Sequence, residues 1–522
     1  MTLLQGAIAA NRFGLGARPG EILTASSDPR GWLKAQIRSD AAIISGEGLM
    51  SVEQVFEERR DAYADMAAAG GGPRPGATKR AAAGDPANTQ KSGAGATPAQ
   101  QEVRKMIQRE SRDGLQKEIE ARSRFAASTQ SPFAERWVRF WSNHFTVAAR
   151  NAQLIGIVGP FERDVIRPNA FGSFAGLLGH ATFHPTMLIY LDANRSIGPS
   201  TTAAQRRKAG LNENLAREVL ELHTVGVGSG YTQADVIEFA KALTGWTVGG
   251  PGGGGGLARA AQAGGLARNF PGRRLNGGLN GGLGGGLGGG GLRPVAMQLN
   301  ANPGQTVFME QLHEPGVRTV LGKAYRAEGK QQAAAILDDL ARNPATAKHI
   351  ATKLTRHFVA DDPPASAVAK LQATFTHTNG DLAAMAKAIV DLDEAWGEAP
   401  AKFKTPEELL ISVSRAAGAE TAFGRDQRAV YTSLAQQPFS APSPAGWPDT
   451  AASWSGADAV MKRLEWANAV SQRISAMGSP SDFLDRALGP TASDATRRAV
   501  SRAESGQQGF TLALMSPEFQ RR

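Results

Sequence analysis

Apolar positions recur at helical spacing along most of this chain, and the pattern is densest between Leu211 and Trp246. Leu215, Val219 and Leu222 stand at i, i+4 and i+7, and Val236, Phe239, Ala240 and Leu243 repeat the spacing after the turn GVGSG. Asn212 is placed to cap the first helix, and the Thr232-x-x-Asp235 spacing approximates a capping box for the second. Gly226 and Gly245 suit the two helix ends, because glycine enters the left-handed region without a Cβ penalty. A loop this short predicts near-antiparallel neighbours, a helical hairpin around which the other elements are expected to pack.

The same period predicts further helices. Asp28-Pro29 opens one through Trp32, Leu33 and Ile37; others span Ser51 to about Ala67 and Gln101 to about Ala127. After Ser131-Pro132, the residues Phe133, Trp137, Trp141 and His144 fall at i, i+4, i+8 and i+11 on one helix face. Three short helices follow, broken by Pro168 and Pro185. Asn343-Pro344 starts a helix whose buried stripe is Ala347, Ile350, Ala351, Leu354 and Phe358. Asp381, Pro406 and Ala457 open others, and a last one lies near Phe510 to Leu514. Only Thr306 to Met309 reads as extended, and the Pro- and aromatic-rich QQPFSAPSPAGWPDTAASW suits a strap across helices. The expected fold class is all-α, a multi-helix globular array built around a central helical hairpin, with two disordered low-complexity inserts. The expected division is N-terminal helices over 1–68, an insert over 69–100, a central core over 101–248, a Gly-rich insert over 249–293, and 294–522 as the C-terminal part of that core.

Charge changes the picture only once it is located. The net charge is +10, which suggests a polyanion partner. Residues 69–100 hold Arg74, Lys79, Arg80 and Lys91 against Asp85; residues 249–293 hold Arg259, Arg268, Arg273, Arg274 and Arg293 with no acid. Eight of the ten charges therefore lie in the inserts, and the folded remainder is nearly neutral. The second hairpin helix would offer DNA only Gln233, Asp235, Glu238 and Lys241, so nucleic-acid binding is not expected. The absence of cysteine excludes disulfides, thiolate metal sites and a cysteine nucleophile. No run of about 18 apolar residues occurs, so no transmembrane helix is expected. With Met1 as the true start the expected location is cytoplasmic; with a trimmed start it is the periplasm or cell surface.

The candidate chemistry sits on the first hairpin helix. Glu213, Arg217 and Glu221 lie four apart, Glu218 is three before Glu221, and His223 occupies the last turn. One reading makes His144, Arg217, Glu218, Glu221 and His313 the lining of a pocket, with acid–base chemistry supplied by carboxylates near a histidine. Within it, His144, Glu218 and Glu221 could hold a divalent metal. The same spacing also describes a solvated face laced by i,i+4 ion pairs, with His223 favoured by the helix dipole. Arg163 and Arg167 could present paired guanidinium groups to an anion or a carboxylate. His180 and His184 have a metal-clamping spacing, but Pro185 pushes His184 out of the α region. His349, Arg356 and His357 read as surface or interhelical contacts.

Several strings together resemble the bacterial domain of unknown function 1800 family: FWSNHFTV (140–147), HPTMLIYLD (184–192), NENLAREVLELHTVGVGSGYTQADV (212–236), LTGWTV (243–248), PATAKHIATKLTRHFV (344–359), PFSAPSPAGW (438–447) and SPEF (516–519). The resemblance implies a mostly helical protein, brings no agreed activity, and implies export and a partner similar to the alkaline-phosphatase and sulfatase superfamily. That family frequently shows His-Asp where His313-Glu314 stand here, so a carboxylate is retained. No nucleophile, metal box or phosphate cradle is spelled out. The expectation is therefore a helical scaffold, accessory or binding protein working with a secreted hydrolase-like partner. The alternative is an enzyme, such as a metal-dependent hydrolase, with its pocket on the 212–224 helix.

Overall fold

The computed structural model describes residues 2–66, 98–207, 210–250, 302–326, 329–418 and 427–522. The two predicted inserts fall outside the described residues, apart from 249–250 and from 98–100, which begin the long helix Pro98–Ser128 earlier than the periodicity indicated. Among the described residues the fold is all-α, with four three-residue strands in two pairs and two isolated antiparallel bridges, Ser173 with Asp381 and Phe403 with Arg521. Most of its buried apolar side chains form one contiguous cluster running from Ile8 to Phe519, with small satellites around Met309 and Ile22. No described helix is long and apolar enough to cross a membrane.

The centre of that cluster is the helix Pro132–His144. Phe133, Trp137 and Trp141 are fully buried, and the ridge they form continues through ring contacts at 6.4, 5.9 and 5.4 Å to His144. The opposite face carries Glu135, Arg136 and Arg139, and it is buried as well. A helix buried on every side must satisfy its charges internally, and this requirement shapes everything packed around it.

Local signals place the surrounding helices. Asp28 accepts from the Gly31 amide at 3.0 Å, Asn343 from Ala345 at 2.8 Å and Asp381 from Ala384 at 2.7 Å. Thr232 and Asp235 form the reciprocal capping box. The second oxygen of Asp235 accepts from Leu321, which holds a left-handed backbone (φ 50°) in the turn between β3 (Arg318–Val320) and β4 (Lys323–Tyr325). The other pair, β1 (Trp246–Val248) and β2 (Thr306–Phe308), runs antiparallel with Trp246 opposite Phe308. It continues as Gly249 N to Gln305 O at 2.9 Å, so the chain enters and leaves the Gly-rich stretch at one point on the core.

Two expectations change because of π-turns, which have no sequence period of their own. Pro168 does not break its helix. The preceding turn, Glu162–Ile166, is π-helical, and its wider spacing leaves room for a pyrrolidine ring that an α-turn would reject. In the hairpin, the α-helix Asn214–Glu218 gives way to the π-turn Val219–His223. The extra residue rotates the side chains of this last turn about the helix axis, so Leu220 and His223 are buried while Leu222 is only partly so. Asn212 lies just ahead of this helix, its side chain accepting from the Asn214 amide at 2.9 Å.

Candidate functional site

Three arginines and three glutamates meet on the charged face of the central helix. Arg167 is fully buried and spans Glu135 (Nη1–Oε2 2.7 Å) and Glu162 (Nη2–Oε1 2.6 Å). Arg139 reaches Glu135 at 2.9 Å and Glu407 at 2.8 Å; Arg122 reaches Glu162 at 2.8 Å and also pairs with Glu407. Ser142 donates to Glu162 at 3.0 Å. Burial alone would raise the Glu162 carboxyl, but Arg122, Arg167 and Arg139 reverse this and hold it far below the usual carboxylate range. Each charge in this set has an opposite partner, so the network is balanced.

A cavity of about 310 Å³ adjoins the network. One wall is the helix Pro344–Phe358, whose apolar stripe is buried as its period predicted. Lys353, Arg356 and His357 on that helix line the cavity, against Phe140, Asn143 and His144 of the central helix. The proline-rich strap forms another wall. The Asn143 side chain holds it like a strand partner, accepting from the Trp447 amide at 2.7 Å and donating to the Trp447 carbonyl at 2.9 Å. Gly446 (φ 84°) permits this approach, since a Cβ there would stand 2.5 Å from the Asn143 carbonyl oxygen.

The π-turn of the hairpin sets the protonation of this region. The ends of helices leave carbonyls without partners. Here the Leu222 carbonyl faces His349 Nε2 at 3.1 Å and the His223 carbonyl faces His144 Nε2 at 3.2 Å. A carbonyl accepts only, so both imidazoles carry their proton on Nε2 and keep a lone pair on Nδ1. The His144 lone pair receives the Lys353 amine, with Nζ to Nδ1 at 3.0 Å. Burial holds His144 well below the ordinary imidazole value, and the Lys353 charge adds to this. Burial also pulls the Lys353 amine down to about 8, against the more distant Asp449. His223 is buried, with its value lowered to about 3 by burial, so the helix-dipole reading of this residue gives way to a neutral core imidazole.

Charges at the cavity divide into paired and unpaired groups. His357 Nδ1 donates to Asp449 at 2.7 Å, and Asp449 also faces Lys402 at 3.3 Å. Glu408 takes Arg136 and, at 2.8 Å, Arg522. Among the described residues, Lys353 and Arg356 have no carboxylate partner. The Arg356 Nε donates to the Asp361 carbonyl at 3.2 Å, which leaves the terminal amino groups of its guanidinium unbonded.

Of the candidate pocket residues His144, Arg217, Glu218, Glu221 and His313, His144 alone lines this cavity, which also takes in Arg356 and His357. Arg217 lies a third exposed between Glu213 (3.1 Å) and Glu221 (3.5 Å), and it donates to Gln233 at 2.8 Å. Glu218 is half-buried, its carboxyl raised by burial and by Glu221. His313 is buried in a different place, with Nδ1 on the Thr244 carbonyl at 3.0 Å and its ring against Phe308. Among the described residues no three His, Asp or Glu side chains are grouped so as to hold a metal ion, so His144, Glu218 and Glu221 do not form a metal set. Arg163 and Arg167 meet carboxylates, Glu118 in the first case. His184 caps the next helix through the Thr186 amide. The sequence reading passed over Lys353 and Asp449 and took Arg356 and His357 for surface or interhelical contacts. The local signal on this helix is the row His349, Lys353, Arg356, His357 at i, i+4, i+7 and i+8, opposite the apolar stripe, and nothing local marks Asp449.

These features define a class: an all-helical protein with a small cationic cavity in its core, walled by a central helix, a C-terminal helix and a strap. The chain belongs to the family described as "Protein of unknown function (DUF1800)", whose pattern matches residues 8–521. No curated protein and no solved structure matches it.

Proposed function

We propose that this protein binds a small organic anion in the cavity beside Lys353 and transfers a proton there. The observation that carries the reading is the pair Lys353 and Arg356, two cations lining a cavity whose other three guanidinium groups, Arg122, Arg136 and Arg139, each meet a glutamate. Lys353 and Arg356 are both partly shielded from water, so an incoming carboxylate would meet two cations that lack a partner of opposite charge. The guanidinium fork matches a carboxylate or phosphate in two parallel hydrogen bonds. The Lys353 amine on the His144 lone pair supplies a group that gives or takes a proton near neutral pH.

Titration calorimetry with acetate, pyruvate, benzoate and inorganic phosphate tests the reading. At least one should bind to wild type, and Arg356→Gln should weaken it at least ~10-fold, the size of a lost charge-assisted pair. Arg217→Gln, outside the cavity, should leave it unchanged. Equal binding by wild type and Arg356→Gln would remove the proposal.

The accessory role beside a partner similar to the alkaline-phosphatase and sulfatase superfamily rests on the family resemblance. The large apolar side chains left exposed, among them Leu3, Leu23, Val227, Val317 and Met461, are spread over terminal helices and two loops. Scattered exposure of this kind favours no docking face.

A further inference from the structure

The arrangement around Lys353 suggests more than an electrostatic anchor. A lysine that only binds anions works best as a permanently charged, well-hydrated ammonium; here the amine sits in a cavity wall, away from any carboxylate, with its hydrogen bond spent on a neutral imidazole nitrogen. We propose that Lys353 is an imine-forming lysine, which condenses with the carbonyl of a small 2-oxo acid while Arg356 holds the adjacent carboxylate. This inference rests on the anion-binding reading of the cavity and names the class of ligand.

Three observations support it. Arg356 is three residues beyond Lys353, so the two side chains leave the helix one turn apart on neighbouring positions, a separation of about 5–6 Å between Cβ atoms. A 2-oxo acid carries its carboxylate directly on the carbonyl carbon and can meet both groups at once. Second, burial brings the amine to about 8, which leaves a fraction uncharged and nucleophilic at neutral pH. Third, the His144 tautomer is fixed by the His223 carbonyl, so its Nδ1 lone pair is permanently turned to the amine.

The step balances without any oxidant or metal. The neutral Lys353 nitrogen attacks the carbonyl carbon, a C–N bond forms, and the C=O π pair moves to oxygen. His144 Nδ1 takes one proton from the attacking nitrogen and delivers it to that oxygen, which gives a carbinolamine. The nitrogen lone pair then expels the hydroxyl, His144 carries the second amine proton to it, and water leaves. One amine and one carbonyl become one imine and one water.

Borohydride trapping of the full-length wild-type protein with pyruvate, and separately with glyoxylate, provides the test, read by intact mass and peptide mapping. The expected result is a single reduced adduct on Lys353, formed at least 10-fold faster than on Lys348 of the same helix, which is exposed, and rising as pH passes about 8. Lys353→Arg, which keeps the charge, should lose the adduct. Adducts spread over surface lysines, or labelling of Lys353 no faster than Lys348, would overturn the proposal. Calorimetry with acetate separates the two readings. Acetate binding without trapping removes the imine and leaves the anion site, whereas the absence of both removes both.

Discussion

Replacing Arg167 by methionine tests the argument that the core is held by balanced charge. The side chain is fully buried and donates to Glu162 at 3.0 and 2.6 Å, to Glu135 at 2.7 and 3.1 Å and to the Ala42 carbonyl at 2.8 Å. Methionine fills much of the volume, so packing changes little and the electrostatic loss dominates. Removing one member of a buried pair leaves the other charge uncompensated, which costs about 3–5 kcal/mol, a large share of the roughly 5–15 kcal/mol that holds a domain together. Equilibrium unfolding in urea at pH 7 should show this loss. The pH dependence makes the cause visible. In the wild type the Glu162 carboxyl is held low, so nothing about it changes between pH 7 and 5. In Arg167→Met, Arg122 and Arg139 are left to three buried carboxylates, so burial lifts the Glu162 carboxyl and the folded state takes up a proton before the unfolded chain does. Stability of the variant then rises as pH falls, and the gap to wild type should narrow by about 1–2 kcal/mol at pH 5. A loss below about 1 kcal/mol, or an equal gap at both pH values, would refute the reasoning.

Two further outcomes concern the hairpin. Gly226 has φ 87°, and a Cβ there would lie 2.7 Å from His349 Nδ1, so Gly226→Ala should cost about 1–3 kcal/mol. Gly228→Ala, with φ 77° and no neighbour in the way, should cost about 1 kcal/mol, and thermal unfolding of the two variants separates strain from collision. Burial holds His349 at about 4 when folded, so between pH 6.5 and 4 the unfolded chain binds the proton and stability falls with pH, by an amount on the order of 3 kcal/mol below both values. His349→Gln keeps a donor for the Leu222 carbonyl but cannot titrate, so its stability should decline less between pH 7 and 4.5 by urea unfolding. An unchanged slope would mean that His349 is not buried as a neutral ring.

Much of the scaffold was legible because its signals are local. The capping box at Thr232 and Asp235, the proline starts at Pro29, Pro132 and Pro344, and the stripe Ala347 to Phe358 each arise from residues within a few positions. The aromatic ridge ending at His144 was readable for the same reason, and it delivered the one candidate that lines the cavity. The rest depends on partners far along the chain. Asp449 selects His357, and the strap seats on Asn143, across 92 and 304 residues respectively. Nothing near TKLTRHF tells whether its polar stripe meets water or a cavity. The i,i+4 row of Arg217, Glu213 and Glu221 drew attention because it is dense, yet density at helical spacing is also what a solvated face looks like. The π-turn at Val219–His223 was invisible because an inserted residue shifts the period without any marker residue.

The long reach of these charge pairs has a consequence for how the protein is made. Arg136 and Glu408 are 272 residues apart, and at ribosomal rates of ~5–20 residues per second the second emerges roughly 15–50 s after the first. During that interval the central helix can form but cannot be enclosed, because the Arg136 guanidinium must stay hydrated until Glu408 arrives, whereas Arg139 already has Glu135 on the same helix. The nascent protein is thus kept open by its own unpaired cation, with Trp137 and Trp141 waiting on the same helix, and burial of the aromatic ridge falls to the last stage of synthesis. Chain elongation, more than helix formation, sets the time at which this core can close.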